Sequence, residues 1–487
     1  MSEGVRPARD LAPLFEPRGV VVAGASTHPG KFGFVALHSL LAAGYGGAVF
    51  ATNPERPTVL GVDCVASLAD VPAGAADLVM VCTPPAAVPD VLRQAAGQGI
   101  RGAFIATAGY REAGSEGAAA EAELVALAEA LGMVVAGPNG QGLVSTPVKL
   151  CCQIAPPYPA AGTVAMASQS GNLLASVLNL SRQTGVGISR AVSAGNSAML
   201  AVPDYLEWFA TDPATNSVIV YVEDASDGRR LFEALRGAAA QKPVVVVKGG
   251  SSSEGARAAA SHTGSLASDD RVFAGMVRQA GAVRCPAPDV GYELAATFAT
   301  QPLPAGPRVA VLTTVGGWGV LSADAIATSS LRLAPLPADL HDAIAGLVPP
   351  RWSRNNPIDL AGGETRDTVP TVLDLVTAHP EIDAVLYLGI GIQGNSARSL
   401  RESPFLPDEG LERMATFHER QEARYAEAAV AARDTHGKPV LVASELAIAD
   451  PANPAIARLR ELGSLCHASP LRAIAALEAL WQRAQRR

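Results

Sequence analysis

No stretch of this 487-residue sequence reaches about 18 uninterrupted apolar residues, the length expected of a membrane-spanning helix. The opening MSEGVRPARDLAPLFEPRG also lacks the apolar core of a signal peptide. Together these absences predict a cytoplasmic protein with no membrane partner. Charge is sparse too: charged residues make up 17 % and the net charge is −8, leaving no basic surface for nucleic acid. Six cysteines (Cys64, Cys82, Cys151, Cys152, Cys285 and Cys466) form no CxxC pair and have no histidine-rich partner, so neither a zinc site nor a disulfide framework is indicated. They read as small buried hydrophobes.

What is present is alternation. At about 150 residues per domain the length suggests roughly three units. From Gly19, β-branched runs alternate with alanine-rich helical stretches: GVVVAG, GAVFATNP, DLVMVCTPP, GAFIATAG and MVVAGPN. That pattern predicts a parallel sheet wrapped by helices. A second series runs through GTVAMASQSGN, SVIVYVED and KPVVVVKGG, and a third through RVAVLTTVGG, IDAVLYLGIG and KPVLVASE. Proline-rich linkers place the boundaries near 147–162 and 301–307, giving domains 1–146, 147–303 and 304–487.

The first strand ends in GASTHPGKFG, where a doubly wound sheet places its ligand-binding turn. Five residues separate Gly24 from Gly30 and Phe32 stands at the Ser/Thr position, so this is not a Walker A loop. Ala25 and Ser26 after Gly24 exclude GxGxxG. A small-residue turn opening a helix still offers backbone N–H groups to phosphate, with Lys31 adding a point charge. The later strands end at Asn53-Pro54, Thr83-Pro84, Ala108-Gly109 and GPNGQG. Strand ends of one parallel sheet share an edge, so these turns predict one elongated groove.

Gly24, Ser26, Gly30, Lys31, Gly33, Asn53, Pro54 and the GPN that ends in Asn139 resemble, in this order, the CoA-binding domain of NDP-forming acyl-CoA synthetases. The resemblance continues through SQSGN (168–172), AGN (194–196), YVEDASDGRR (221–230), ARAAASHTGSLA (256–267), GGWG (316–319) and NPIDLAGG (356–363). Among these, ARAAASHTGSLA is the most specific signal. The resemblance covers about Leu11 to Trp481 and implies an N-terminal Rossmann-like CoA-binding domain followed by two flavodoxin-like parallel-sheet domains. It is similar to the α subunit of ADP-forming acetyl-CoA synthetase and, more distantly, to succinyl-CoA synthetase.

By that resemblance coenzyme A lies along Gly24, Ser26, Lys31, Gly33, Asn53, Pro54, Thr83, Pro84, Ala108 and Asn139. The resemblance further implies that His262 becomes a phosphohistidine and that Glu223 orients and polarises it. Histidine suits the relay because a neutral ring nitrogen is available near neutral pH. Phosphate is expected between two helix starts, Ser168, Ser170 and Gly171 on one side and Gly316, Gly317 and Gly319 on the other. Trp318 departs from the smaller residue or proline expected there, and either narrows the acyl pocket or packs on the domain surface. All three segments being assigned, no stretch remains for an ATP-grasp module. The resemblance therefore implies a separate ATP-grasp β subunit carrying ATP/ADP and Mg2+, a hetero-oligomer, and no metal ligand on this chain. The acyl group is not legible. A non-catalytic CoA-binding regulatory protein is the alternative, and a Rossmann oxidoreductase is disfavoured because Asn53-Pro54 stands where a ribose-binding acid would be.

Overall fold

The β-branched runs become the strands of three sheets in the computed structural model, which describes residues 9–155, 157–252, 254–255, 257, 269–362 and 366–486. In the first sheet Gly19–Ala23 is central and wholly buried, flanked in parallel by Ala48–Thr52 and Leu78–Val81. Gly102–Ile105 and Val134–Ala136 extend one side, Val62–Val65 and the antiparallel Thr58–Val59 the other. The chain thus reverses direction across the sheet at the first strand, and the crevice outside that strand's carboxyl end is where such a sheet binds ligands.

The second sheet runs, from one edge, Val283–Cys285, Val244–Lys248, Ser217–Val222, Ala161–Ser168 and Ile188–Ser193, all parallel. It is completed by an antiparallel hairpin, Gly142–Ser145 and Leu150–Gln153. That hairpin precedes the proline-rich stretch, so the second sheet begins upstream of the linker expected at 147–162. Cys151 and Cys152 lie buried in its last strand. The third sheet is parallel: Arg332–Leu333, Arg308–Thr313, Ala384–Leu388, Val440–Ala443 and Cys466–His467, with Ile358–Asp359 beside Arg308–Thr313. Strands buried on both faces read as continuous Val/Ile/Leu runs, as seen here.

Three sheets make two compact units, Met1–Arg182 with Gly187–Ala295, and Gln183–Val186 with Ala296–Arg487. The first two sheets share one core, which runs from Leu14, Phe15 and Val22 through Leu143 and Cys152 to Val220 and Val246. Arg190, fully buried, ties them. Its guanidinium donates to Asp212 at 3.1 and 3.2 Å, to Glu16 at 2.7 Å, to the Phe15 carbonyl at 3.2 Å and to Ser145 Oγ. It also lies 5.3 Å from the Trp208 ring centroid. Burial alone would raise the Asp212 carboxyl, but Arg190 and Thr215 hold it below its ordinary value. Among the described residues no helix is long and apolar enough to cross a membrane.

Candidate functional site

At the carboxyl edge of the first sheet Gly24 turns at φ +85°, a conformation that favours glycine. The helix Phe32–Ala42 packs so closely on this turn that a Cβ on Gly33 would lie 2.0 Å from the Gly24 carbonyl oxygen. Gly24 N–H donates to Thr52 Oγ1 (3.1 Å), and Asn53 Nδ2 donates to the Ala25 carbonyl (2.9 Å). Asn53 Oδ1 in turn accepts from Glu55 and Arg56 N–H (2.9 and 3.0 Å). The result is a groove of 720 Å³ lined by Gly24, Ser26, Lys31, Gly33, Asn53, Thr83, Pro84 and Ala108. Pro54 is not on its wall, and Asn139 lies in the next cavity. His28 and Arg56 also line the groove; nothing in their spacing distinguished them in the sequence. Thr83 Oγ1 is buried and has no hydrogen-bond partner among the described residues. Cys82 lines the same wall, but burial pushes its thiol up to about 12, so it is no thiolate nucleophile at neutral pH.

Phe32 and Ala108 also line a second cavity, of 310 Å³, in which the edges of both sheets meet. The first sheet contributes Ala106, Ala108 and Asn139; the second contributes Gln169, Ser170, Gly171, Asn196, Glu223 and Asp224. The helix Gly171–Thr184 begins on this wall, presenting the positive end of its dipole. Ser168 does not line the cavity: it is buried, donating from its hydroxyl to the Ser170 carbonyl (2.6 Å) and accepting from Ser170 N–H (3.1 Å). Its hydroxyl is thus spent on shaping the turn.

Glu223 directly follows the strand Ser217–Val222, and its placement depends on Gln169, whose Oε1 accepts from Glu223 and Asp224 N–H at 2.6 and 3.0 Å. Tyr221, two residues earlier and hence on the same side of the strand, shares this corner. A Cβ on Gly249 would lie 2.5 Å from Tyr221 Oη and 3.4 Å from Glu223 Cγ, so only glycine leaves room for both. Burial raises the Tyr221 phenol, and the charge of Glu223 and a hydrogen bond to it raise it further.

His262 lies outside the described residues, as does the rest of 258–268. The segments on either side of that stretch converge. Lys248 donates to the Gly249 and Gly250 carbonyls (3.3 and 3.2 Å) and lies 4.0 Å from Asp270, while Arg284 pairs with Asp270 at 2.6 Å and with Ser251 at 3.2 Å. Burial pulls the Lys248 ammonium below its usual range, against the opposing pull of Asp270.

Sequence reasoning also missed a polar network that joins the two sheets across the cavity. Asn196 Nδ2 donates to Glu112 (2.5 Å) and Glu121 (2.7 Å), and Asn139 Nδ2 donates to Asn196 Oδ1 (3.2 Å). Arg111 donates to the Asn196 carbonyl and lies 3.7 Å from Glu121. Burial would raise Glu112, but the bonds from Asn196, Gly109 and Tyr110 hold it low. Asn196 and Asn139 belong to motifs that stood out, whereas Arg111 and Glu112 lie in ordinary helix-like sequence.

In the second unit, Gly316, Gly317 and Gly319 form the first turn of the helix Gly316–Ala327. Gly319 is buried, Gly317 is exposed and Trp318 is half-buried. A Cβ on Gly316 would lie 2.5 Å from Asp359 Oδ2, so a carboxylate already stands beside this helix start.

The chain matches three known families in turn: a CoA binding domain over residues 18–145, a succinyl-CoA ligase like flavodoxin domain over 161–298 and a ligase-CoA domain over 309–391. It is 34 % identical to the α subunit of ADP-forming acetate–CoA ligase I of Pyrococcus furiosus, over 78 % of this chain and 82 % of that one. It is also 34 % identical to ADP-forming acetate–CoA ligase I of Archaeoglobus fulgidus, over 77 % of this chain but 54 % of that longer one, so it spans about half that relative's length. Among solved structures it is similar to the dinucleotide-forming acetyl-CoA synthetase 1 of Ca. Korarchaeum cryptofilum, in complex with phosphate and ADP. The TM-score is 0.82 at 30 % identity, covering 98 % of this chain and 97 % of that one. With the same order of domains and this extent of identity, the chain belongs to the NDP-forming acyl-CoA synthetase family, matching the α subunits of ADP-forming acid–thiol ligases.

Proposed function

We infer that this chain binds coenzyme A in the 720 Å³ groove and, with a separate ATP-grasp subunit, interconverts acyl-CoA, phosphate and ADP with acid, CoA and ATP. In the acyl-CoA direction a phosphate oxygen adds to the thioester carbonyl and CoA leaves as thiolate. A ring nitrogen of His262 then takes the phosphoryl group from the acyl phosphate, the carboxylate leaves, and ADP on the partner, with Mg2+, receives the phosphoryl group. Lys31 and Arg56 would meet CoA phosphates at the groove, and Ser170 and Gly171 would hold the transferred phosphate. Gly316, Gly317 and Gly319 offer a second helix start, the weaker anion site of the two because of the carboxylate of Asp359. Glu223 would fix the tautomer of His262 and stabilise the cation formed on transfer.

The observation that carries this reading is continuity. The groove shares Phe32 and Ala108 with the cavity where the Ser170–Gly171 helix start and Glu223 meet. A purely regulatory CoA-binding role is not favoured, since the relatives are ligases by name. Calorimetric titration of the full chain with CoA and with NAD tests the reading, CoA being expected to bind and NAD not. Alone, the chain is expected to make no acyl-CoA from ATP, acid and CoA, and addition of the cognate ATP-grasp protein should restore synthesis. Preferential binding of NAD, or ATP-driven turnover by the single chain, would contradict it.

A further inference from the structure

A phosphate group entering the central cavity meets carboxylates. Glu112, Glu223 and Asp224 all line that space, and Arg111 is the one cationic side chain on its wall among the described residues. The amides at the start of the helix Gly171–Thr184 supply about half a positive charge, less than the full charge of a single carboxylate. A dianion held there needs a further cation. Arg230, the cation of the adjoining pocket, is tied to buried Asp204 at 2.6 Å.

The sheet keeps the Arg111 guanidinium beside that helix start. The strands Ala161–Ser168 and Ile188–Ser193 pair in register to their ends, and Ala194 N–H continues the pairing to the Ser168 carbonyl at 2.7 Å. The turns that follow, at Gln169 to Gly171 and at Gly195 and Asn196, thus leave the sheet about one strand spacing apart, roughly 4.8 Å. Arg111 Nη2 donates to the carbonyl of Asn196 on the second turn, and Nε lies 3.7 Å from Glu121. Nε and Nη2 form one edge of the guanidinium, so that edge is occupied. The end edge, formed by Nη1 with Nη2, makes no further hydrogen bond among the described residues, and the side chain is 41 % exposed where it lines the cavity. Glu121 fixes the base of the same residue, accepting from Arg111 N–H at 3.3 Å. A planar fork anchored along one edge and open along the next has the geometry that takes two oxygens of a phosphate.

We propose that Arg111 binds the phosphate in the central cavity, its open edge taking two phosphate oxygens while Ser170 and Gly171 hold the group at the helix start. Its fixed positive charge offsets the repulsion from Glu223 and Asp224 and stays in place throughout transfer, because a guanidinium does not lose its proton near neutral pH. The proposal rests on the functional reading above. Its test is calorimetric titration of the full chain with inorganic phosphate, with and without saturating CoA, in the wild-type protein, Arg111→Gln and Arg111→Lys. Arg111→Gln should weaken phosphate binding about tenfold or more, the worth of a charge-assisted hydrogen bond. Arg111→Lys keeps the charge but loses the fork, and should recover part of that loss. CoA affinity should stay within about twofold in both variants and the thermal midpoint within a few degrees, since one carbonyl contact is all that the hydrogen bonding of the side chain contributes to the fold. Phosphate affinity unmoved by Arg111→Gln, equal loss in the lysine and glutamine variants, or CoA affinity and thermal midpoint falling together with phosphate affinity in both variants would overturn the assignment, the last outcome making Arg111 a structural tie between the two sheets. A wild-type chain that binds no phosphate would overturn it as well. Phosphate binding that depends on Arg111 in a chain that fails to bind CoA would leave the anion site standing and overturn the CoA reading beneath it.

Discussion

Two helix starts, each at the carboxyl edge of a parallel sheet, have opposite fates. The helix Gly171–Thr184 opens on a 310 Å³ cavity that also holds Glu223 and Asn196. The helix Ile392–Arg401 in the other unit is closed by its own chain: buried Glu422 accepts from Gly391 N–H at 2.8 Å and from Gln393 N–H at 2.7 Å. Both ends attract negative charge for the same reason, yet the protein supplies the anion at one and leaves a cavity at the other. A helix dipole alone therefore does not make a phosphate site. The surroundings differ as well: the open end is assembled across two sheets, the closed end within one.

The two-sheet assembly can be broken at Arg190. Arg190→Ala leaves Asp212 buried and uncompensated and should destabilise the first unit by about 3–5 kcal/mol, read as a lowered denaturant midpoint together with weakened CoA binding. The pH dependence has a definite sign. Because the folded Asp212 carboxyl lies below its ordinary value of 3.8, its contribution is complete well above that pH and is lost as pH falls through the folded value. Asp212→Asn should flatten that acid limb of the stability profile.

Opening the closed end is the converse experiment. Glu422→Ala strands two amides beside a pocket of 120 Å³ that water can enter, and should cost about 1–3 kcal/mol in the second unit. CoA affinity measured by calorimetry should not change. Closing the open end with Ser170→Asp places a carboxylate where phosphate is expected, and should weaken phosphate use about tenfold, roughly 1.4 kcal/mol, with CoA affinity retained. The smallest effect should come from Tyr221→Phe. Losing one hydrogen bond to Glu223, worth about 0.5–1.5 kcal/mol, should slow phosphoryl labelling severalfold and shift its pH profile, without altering the thermal midpoint by more than a few degrees.

The sequence made the strands legible because parallel strands buried on both faces are uninterrupted apolar runs, and the groove legible because its glycines stand at strand ends. Gly24 and Gly33 could be picked out since their close approach tolerates no side chain. The hairpin 142–153 was hidden: its strands are four residues each, and the prolines that follow suggested a boundary. Gln169 sits inside a recognised motif, but its grip on Glu223 links residues 54 positions apart, which periodicity does not encode. The same holds for Arg111 and Glu112, which gain meaning only beside Asn196. The second helix start was legible as glycines, whereas the Asp359 carboxylate beside it depends on how two strands align.

If the cavity at Ser170, Gly171 and Glu223 serves a phosphoryl relay, as proposed, His262 carries the phosphoryl group in turnover. This central claim is tested by incubating the full chain with acyl-CoA and labelled phosphate, or with labelled ATP and its ATP-grasp partner, then mapping the label by mass spectrometry. An acid-labile, base-stable phosphoryl group is expected on His262, absent in His262→Asn and reduced but present in Glu223→Gln, with CoA binding intact in the His262 variant. Label on another residue, or label undiminished in His262→Asn, would contradict it.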